Sequence, residues 1–129
     1  MKKHIRVSCG ILQKEGKYLL VQRPANAQNG LKWEFAGGKI ELNESPENCL
    51  IRELQEELDI TVKITNTLSP VFREEEDFSI DLLPFECKII TGKITLLEHN
   101  DLQWVDINQP LDLEICKGDV AIIQQLKEK

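Results

Sequence analysis

Long apolar stretches are missing from this chain of 129 residues. A membrane-spanning helix needs about 20 consecutive apolar residues, and no run in the sequence approaches that length. The chain starts with basic residues, but the apolar stretch at 7–12 is too short and too interrupted to be the hydrophobic region of a signal peptide. These absences predict a cytoplasmic protein that does not bind membranes.

Closely spaced cysteines are also missing, because Cys9, Cys49, Cys87 and Cys116 lie far apart and form no C-x-x-C motif. Such spacing suits neither a zinc site nor a disulfide framework, so we expect four reduced thiols, buried or half-buried. A domain of this size buries roughly two thirds of its unfolded surface and folds without crosslinks. With no repeat, linker or low-complexity segment, residues 1–129 are predicted to form a single domain.

An excess of positive charge is the third absence, since the formal net charge is −6. Nonspecific binding to duplex nucleic acid needs a basic face, so we predict no such partner. An acidic protein is also a poor partner for a polyphosphate unless cations intervene. Any phosphate-bearing ligand is therefore expected to bind together with metal ions.

The order of the predicted elements is strands, helix, strands, helix, which indicates an α/β fold with a mixed sheet covered by helices on two faces. Branched apolar runs bounded by turn residues predict the strands. Pro84 inside one of these runs predicts an edge strand or a bulge, and Asp119 or Gly118 is predicted to begin the last helix. The predicted strands are 5–13, 18–22, 33–35, 60–64, 69–73, 80–90 and 102–105, a loop covers 23–31, and the last helix covers 120–126.

The first helix has clear start and stop signals. Ser45 is a good N-cap, Pro46 suits the first helical position, and Glu47 complements the positive end of the helix dipole. The helix is expected to end near Asp59. Leucines that recur at i, i+4 and i+8 predict a buried stripe along it, namely Leu50, Leu54 and Leu58.

Three glutamates, Glu53, Glu56 and Glu57, lie at i, i+3 and i+4 and therefore share one face of this helix. That face is centred roughly 100° from the leucine stripe, so the carboxylates border the core, where a cleft can form. Like charges at this spacing repel by about 0.2–0.5 kcal/mol per pair. A hard divalent cation such as Mg²⁺ or Mn²⁺, which prefers carboxylate oxygens, would offset the repulsion. The alternative interpretation is a solvated acidic face.

Gly37 and Gly38 precede the helix, and glycine lets the backbone approach a ligand closely. A glycine-rich loop that leads into a helix rich in carboxylates predicts a diphosphate site, in which main-chain groups and magnesium hold the phosphate oxygens. A plain turn is the alternative explanation for the glycine pair.

Together these residues resemble the Nudix box, which runs Gly, five residues, Glu, seven residues, Arg-Glu, an aliphatic residue, any residue, Glu-Glu, any residue, Gly and an aliphatic residue. Asp59 is the one departure, because the family has glycine there. Aspartate tolerates the left-handed backbone expected at this position better than most residues, so we expect a modest stability cost and unchanged chemistry. The run 33–41, the segment 22–24 and Trp104 resemble MutT-type and CTP pyrophosphohydrolase-type members. The matching box positions are Gly38, Glu44, Arg52, Glu53, Leu54, Glu56, Glu57 and Ile60.

The resemblance implies a Nudix-type α/β/α sandwich with a mixed central sheet. It also implies Mg²⁺-dependent hydrolysis of nucleoside or deoxynucleoside triphosphates to the monophosphate and pyrophosphate, with Mn²⁺ as a substitute metal. Oxidised or modified substrates of the 8-oxo-dGTP type and of the CTP type are both open, and Ala36 and Asp119 favour the CTP type. The alternatives are an ADP-ribose or nucleotide-sugar pyrophosphatase and a non-catalytic nucleotide sensor. Monomer and homodimer are both compatible with the sequence.

The resemblance also implies roles for the acidic residues. Glu56 and Glu57 are expected metal ligands, and the Gly37 carbonyl is expected as a third. Glu53 is either another ligand or the general base. Glu98 resembles a position that supplies a further metal carboxylate, or it is an exposed loop residue.

Two further box residues are expected to act on the others. Arg52 is expected to orient the helix glutamates by hydrogen bonding, and Glu44 to anchor the loop or to bind metal through water. Arg23 and Lys39 are candidate phosphate contacts, with surface cations as the alternative.

Further substrate contacts are expected at four positions. The Gly38 backbone is expected against the phosphates. Phe35 and Phe78 are candidates to stack on the base, or they belong to the core. Asp119 is expected to accept hydrogen bonds from the base, or to act as the N-cap of the last helix.

Overall fold

Residues 2–129, which the computed structural model describes, form eight strands and two helices. The first helix and the strands at 5–13, 18–22, 60–64 and 102–105 lie where the sequence predicts them, within a few residues. In chain order the elements are β1 (Lys3–Lys14), β2 (Lys17–Gln22), β3 (Trp33–Glu34), β4 (Ala36–Lys39), α1 (Pro46–Leu58), β5 (Ile60–Thr67), β6 (Val71–Glu74), β7 (Phe78–Gly92), β8 (Asp101–Val105) and α2 (Lys117–Lys127).

The sheet is mixed, as predicted. β1 pairs antiparallel with β2 and β4 and parallel with β7. β7 continues the sheet through antiparallel pairing with β5 and β6, and β2 extends it on the other side with β3 and β8. The long strands β1 and β7 therefore form the centre of the fold and connect its two halves.

The helices cover opposite faces of this sheet. Leu50, Leu54 and Leu58 of α1 are fully buried in one apolar cluster with strand residues, so the predicted leucine stripe is confirmed. Ile122 and Leu126 of α2 are buried in a second cluster. The sheet with one helix packed on each face is the α/β/α sandwich that the sequence predicts.

The ends of α1 follow the expected chemistry. The Ser45 side chain accepts a hydrogen bond from the Asn48 N–H, at 3.1 Å, and Pro46 occupies the first turn. Asp59 ends the helix with φ 58° and ψ 40°, which is the left-handed conformation, and its N–H bonds to the Gln55 carbonyl. The expectation of a left-handed residue at the position where the family has glycine is confirmed.

Replacing Asp59 with glycine is expected to raise the free energy of unfolding by about 0.5–1 kcal/mol, because glycine has no Cβ to strain the left-handed conformation. Urea unfolding of the two proteins measures the difference. Asp59→Ala is the matched control and should instead be destabilising, since alanine has no polar side chain to compensate in this region. A glycine variant less stable than wild type would contradict the interpretation of Asp59.

The prediction of an edge strand or bulge at Pro84 is wrong. β7 lies between β1 and the pair β5 and β6, and Pro84 is opposite Cys9 of β1. Pro84 is tolerated in this central strand because its position falls between the pairing with β5, which reaches Phe85, and the pairing with β6, which begins at Leu82. Its carbonyl still accepts a hydrogen bond from the Leu68 N–H.

The prediction for the start of the last helix is also wrong. α2 begins at Lys117 after Cys116, so Asp119 lies in the first turn and is not the N-cap. The Asp119 N–H donates to the Cys116 carbonyl, which shows where helical bonding starts. Neither helix of residues 2–129 is long and apolar enough to cross a membrane.

Candidate active site

The glycine pair lies in a strand and not in the predicted loop. Gly37 and Gly38 belong to β4 and are opposite Cys9 and Ser8 of β1. A Cβ on Gly37 would lie 1.9 Å from the Ser8 carbonyl oxygen. The two backbones can therefore approach this closely only where residue 37 has no side chain.

The same strand supports two helix carboxylates. A Cβ on Gly38 would lie 2.3 Å from the carboxyl carbon of Glu53, so the Glu53 carboxylate occupies the space that a side chain would fill. The Gly37 N–H donates to Glu57 Oε1 at 3.4 Å. The glycines thus bring the backbone of β4 against the acidic face of α1.

The Arg52 guanidinium bonds to three glutamates, two on α1 and one on the chain before it. Its Nε donates to Glu44 Oε2 at 2.7 Å, and its Nη1 donates to Glu53 Oε1 at 2.8 Å and to Glu56 Oε2 at 3.2 Å. The hydrogen bonds to Glu44 and Glu53 raise the pKa of Arg52. The Arg52 guanidinium and the Glu41 N–H together lower the pKa of Glu44 to about 2.

Glu57 is in a different environment. It is only 5% exposed, and no cationic side chain of residues 2–129 forms an ion pair with it. Burial is the largest cause that raises the pKa of Glu57 to about 10, followed by the hydrogen bond to Glu53 and by the charges of Glu53, Glu98 and Glu34. A buried carboxyl with acidic neighbours is a position where a cation would be bound favourably.

Glu98 lies next to this group although it is far along the chain. The segment before it runs beside the end of α1, where the Leu97 N–H donates to the Glu57 carbonyl at 3.0 Å. Glu98 is exposed, and its charge contributes to the raised pKa of Glu57. Glu98 is therefore an exposed residue near the carboxylate group, and its role as a metal carboxylate stays a prediction.

A cavity of about 930 Å³ opens beside β4, large enough for a nucleotide. Its lining reaches from the glycine pair to the first turn of α2. The structure therefore brings together all the residues that the sequence predicts as substrate contacts, which are Arg23, Phe35, Gly38, Lys39, Phe78 and Asp119.

The aromatic and cationic members of this set differ in environment. Phe35 is 3% exposed and belongs to the core cluster beside α2, whereas Phe78 is half-buried. Lys39 is exposed and forms no ion pair with any of residues 2–129. Arg23 is paired with Glu34, at 2.9 Å, and also donates from Nε to the Gln28 carbonyl.

Asp119 lies at the far end of the cavity. It is 6% exposed, and its Oδ1 accepts a hydrogen bond from the Phe35 N–H at 2.9 Å. Burial raises the pKa of Asp119 to about 8, against the lowering effect of the Phe35 hydrogen bond and with a further rise from the Glu34 charge. Asp119 is among the residues that line the cavity, and its role in base recognition stays a prediction.

Sequence reasoning missed three side chains near Asp119. Glu34 accepts from Arg23 and is 3.2 Å from His99 Nε2, and the carboxylates of Glu34 and Asp119 converge with the Cys116 thiol so that one atom of each lies within 4.8 Å of the others. Burial and the Asp119 charge raise the pKa of Cys116 to about 12. No spacing signal identifies this group, because Glu34 and His99 lie far in the chain from each other and from the pair Cys116 and Asp119.

The buried carboxyl of Asp119 predicts a pH dependence of stability. Its pKa is higher in the folded protein, about 8, than in an unfolded chain, about 3.9. The folded protein therefore binds more protons between these values, and stability falls as the pH rises from about 4 to 8. In buffer with a metal chelator, we expect Tm to fall over this range, by roughly 2–8 °C for each kcal/mol lost.

Two variants test whether Asp119 causes this fall in Tm. Asp119→Asn should make Tm less dependent on pH, and the exposed-site control Asp112→Asn should not. An equal dependence of Tm on pH in all three proteins would contradict the prediction.

A family model described as the NUDIX domain matches residues 2–126. The chain belongs to the Nudix family. This confirms the resemblance drawn from the box residues, and it makes the protein a Nudix hydrolase and an enzyme.

Two relatives and one solved structure illustrate the similarity. The CTP pyrophosphohydrolase of Escherichia coli K12 is 34% identical to this Nudix hydrolase over 122 residues, which cover 95% of this chain and 90% of that protein. The 8-oxo-dGTP diphosphatase of Proteus vulgaris is 40% identical over 82 residues, 63% of this chain and 73% of that protein. The solution structure of the E. coli ORF135 protein superposes with a TM-score of 0.84 at 32% identity, over 98% of this chain and 91% of that one.

Proposed function

We propose that this Nudix hydrolase converts nucleoside triphosphates, including oxidised or modified ones, to the monophosphate and pyrophosphate. The observation that carries the proposal is the placement of Glu53 and Glu57 against Gly38 and Gly37, on a strand that lines a cavity of nucleotide size. The α1 carboxylates are not part of the cavity lining, so a bound polyphosphate chain would extend from the cavity along the β4 backbone to reach them.

The residues present fit a divalent metal ion. The donors are hard carboxylate oxygens, which Mg²⁺ and Mn²⁺ prefer, and Glu57 is buried without a cationic partner among residues 2–129. When bound, Mg²⁺ or Mn²⁺ would neutralise phosphate charge and acidify the attacking water. The residues that would hold it are Glu53, Glu56, Glu57, Glu98 and the Gly37 carbonyl.

The other box residues would act on these ligands. Arg52 is a positioning residue, because its guanidinium binds Glu53 and Glu56 at the same time. Glu44 anchors Arg52 from the chain before α1. Glu53 is either a ligand or the general base, and its contact with Gly38 is compatible with both roles.

Recognition of the substrate would use the two ends of the cavity. Lys39, exposed and without an ion pair among residues 2–129, is the better phosphate contact, because the Arg23 guanidinium is already paired with Glu34. Phe35 and Phe78 would flank the base, and Asp119 would bond to its edge. An exocyclic amine of the base would suit an acceptor oxygen of Asp119, but cytosine and 8-oxoguanine both carry such an amine. The preference for a CTP-type base is therefore supported by the relative named CTP pyrophosphohydrolase.

A nucleotide panel tests the proposal. The protein is incubated with Mg²⁺ and, separately, CTP, dCTP, 5-hydroxy-CTP, 8-oxo-dGTP and ADP-ribose. Release of pyrophosphate and of orthophosphate is measured for the triphosphates, and formation of AMP is measured for ADP-ribose. We expect pyrophosphate from a triphosphate, with the highest kcat/KM on a cytosine-type base. Turnover of ADP-ribose alone would support a nucleotide-sugar type of enzyme instead. Orthophosphate as the first product, or no turnover of any nucleotide, would overturn the proposal.

A further inference from the structure

His99 is a buried histidine that bonds to a residue of the cavity wall. Its side chain is 6% exposed, and its Nε2 lies 3.2 Å from Glu34 Oε2. Among residues 2–129, the cavity lining includes Glu34 but not His99. Because a carboxylate oxygen can only accept a hydrogen bond, the ring carries a proton on Nε2 and donates to Glu34. An effect of the imidazole on a ligand in the cavity therefore passes through Glu34.

The second ring nitrogen makes the imidazole unfavourable as a packing residue. His99 Nδ1 is buried and has no hydrogen-bond partner among residues 2–129. A buried polar atom without a partner costs stability, and an apolar side chain of similar size would avoid that cost. Packing alone therefore does not explain a histidine at this position, and we attribute it to the bond that Nε2 makes with Glu34.

Glu34 connects this bond to the loop 23–32, which forms one wall of the cavity. Its other oxygen, Oε1, accepts from Arg23 Nη1 at 2.9 Å, and Arg23 Nε donates to the Gln28 carbonyl at 2.7 Å. The loop is closed by a hydrogen bond from the Arg23 N–H to the Lys32 carbonyl. Arg23, Gln28 and Lys32 all line the cavity. The position of this wall therefore depends on the orientation of the Glu34 carboxylate.

The Glu34 carboxylate needs both of its partners because a second carboxylate is close to it. One oxygen of Glu34 and one of Asp119 lie within 4.8 Å of each other, and like charges at this distance repel. Arg23 holds Oε1 and His99 holds Oε2. Without the imidazole, only the bond to Arg23 would fix the carboxylate, and the Glu34 side chain could turn away from Asp119.

We propose that His99 is a positioning residue for substrate binding, which fixes Glu34 and, through Glu34, Arg23 and the cavity wall at 23–32. The inference rests on the proposed function, because its effect is expected on the binding of a nucleotide. The imidazole itself touches neither the substrate nor the metal ligands in this proposal.

The main chain on both sides of the imidazole is held by other bonds. The Leu97 N–H donates to the Glu57 carbonyl at 3.0 Å. The Asn100 N–H donates to the Gln22 carbonyl at 2.9 Å. Glu98, the predicted metal carboxylate, lies between these two bonds. Replacing the imidazole should therefore leave the carboxylate group in place, so that the affinity for substrate changes and the chemical step does not.

Amide side chains of two lengths test the role of Nε2. His99→Gln places an N–H donor at about the reach of Nε2, whereas His99→Asn ends one bond short of it. We expect His99→Leu and His99→Asn to raise KM for the best triphosphate of the panel by about 10-fold, with kcat within about 3-fold of wild type. His99→Gln should restore KM, and Tm checks that each variant is folded. A fall in kcat with unchanged KM would overturn the inference.

A double-mutant cycle shows whether the effect passes through Glu34. Glu34→Ala removes both oxygens and should itself raise KM. In this background His99→Leu should raise KM no further, because the two substitutions break the same connection. A rise as large as that in the wild-type background would overturn the inference.

Hydrogen exchange tests the connection without substrate. The amides of 23–32 should exchange several-fold faster in His99→Leu than in wild type and at the wild-type rate in His99→Gln, while those of β5 should be unchanged in both. Unchanged exchange at 23–32 in His99→Leu would overturn the inference. If no nucleotide of the panel is turned over, the proposed function fails, and the exchange rates still decide whether His99 holds the loop. The two failures are therefore distinguishable.

Discussion

Glu53→Gln and Glu57→Gln are each expected to lower kcat by about 100-fold or more, with a smaller effect on folding. Each substitution keeps the size of the side chain and removes the charge that the proposed site needs. Glu53 fills the space over Gly38, and Glu57 is the buried carboxyl beside Gly37. The measurement is kcat on the best triphosphate of the panel, at saturating Mg²⁺.

The same helix offers a control for this prediction. Glu47 is an exposed residue of the first turn of α1, and Glu47→Gln makes the same chemical change away from the cavity. Its kcat should equal that of wild type. A wild-type rate in Glu53→Gln or Glu57→Gln would remove that residue from the mechanism.

Stability separates a functional carboxylate from a structural one. The pKa of Glu57 is raised to about 10 in the folded protein by burial and by its acidic neighbours, whereas it is about 4.3 in an unfolded chain. At a pH between these two values the unfolded chain ionises Glu57 and the folded protein does not, so this carboxyl lowers the free energy of unfolding. Without metal, Glu57→Gln should therefore melt at the same temperature as wild type or higher at pH 7. A strongly lowered Tm would indicate that Glu57 supports the fold and not the chemistry.

Gly37→Ala is expected to cause the largest loss of stability of any single methyl addition in the site. The new Cβ would lie 1.9 Å from the Ser8 carbonyl oxygen in the centre of the sheet, and it can be accommodated only if β4 moves away from β1. We expect a loss of about 3 kcal/mol or more, or roughly 10 °C in Tm. Thermal unfolding followed by circular dichroism measures the change.

Gly16→Ala separates the effect of close approach from that of backbone conformation. Gly16 has φ +78° in the turn between β1 and β2, but a Cβ there would meet no atom within 4 Å. The control should therefore lose only the strain of a left-handed alanine, about 1 kcal/mol. Equal losses at the two positions would show that the Ser8 contact does not decide the role of Gly37.

The parts of the fold that the sequence predicted are those specified by near neighbours. The N-cap at Ser45 and the left-handed end at Asp59 depend on a few adjacent residues, and both are as expected. The leucine stripe of α1 follows from helical periodicity and is fully buried. The wrong predictions concern Pro84, the glycine pair and the start of α2, where the outcome depends on which distant strand or turn pairs with the segment.

The residues of the candidate site also fall into those that the sequence predicts and those that only contacts between distant segments bring together. The box residues on α1 share a face because of their spacing alone, and the family resemblance led us to expect that Arg52 bonds to the helix glutamates. Its additional bond to Glu44, on the chain before α1, was not expected. Glu34 and His99 were not predicted at all, because their contact joins residues on separate elements.

By itself, the sequence determined the helix, its carboxylate face and the family, since capping, periodicity and motif spacing act over a few residues. Only the tertiary structure decided that the glycines form a strand against Ser8, that Glu57 is buried beside them, and that Cys116 and Asp119 meet Glu34. Those contacts join distant parts of the chain, and their geometry arises only when β1 pairs with β4 and α2 packs on the sheet.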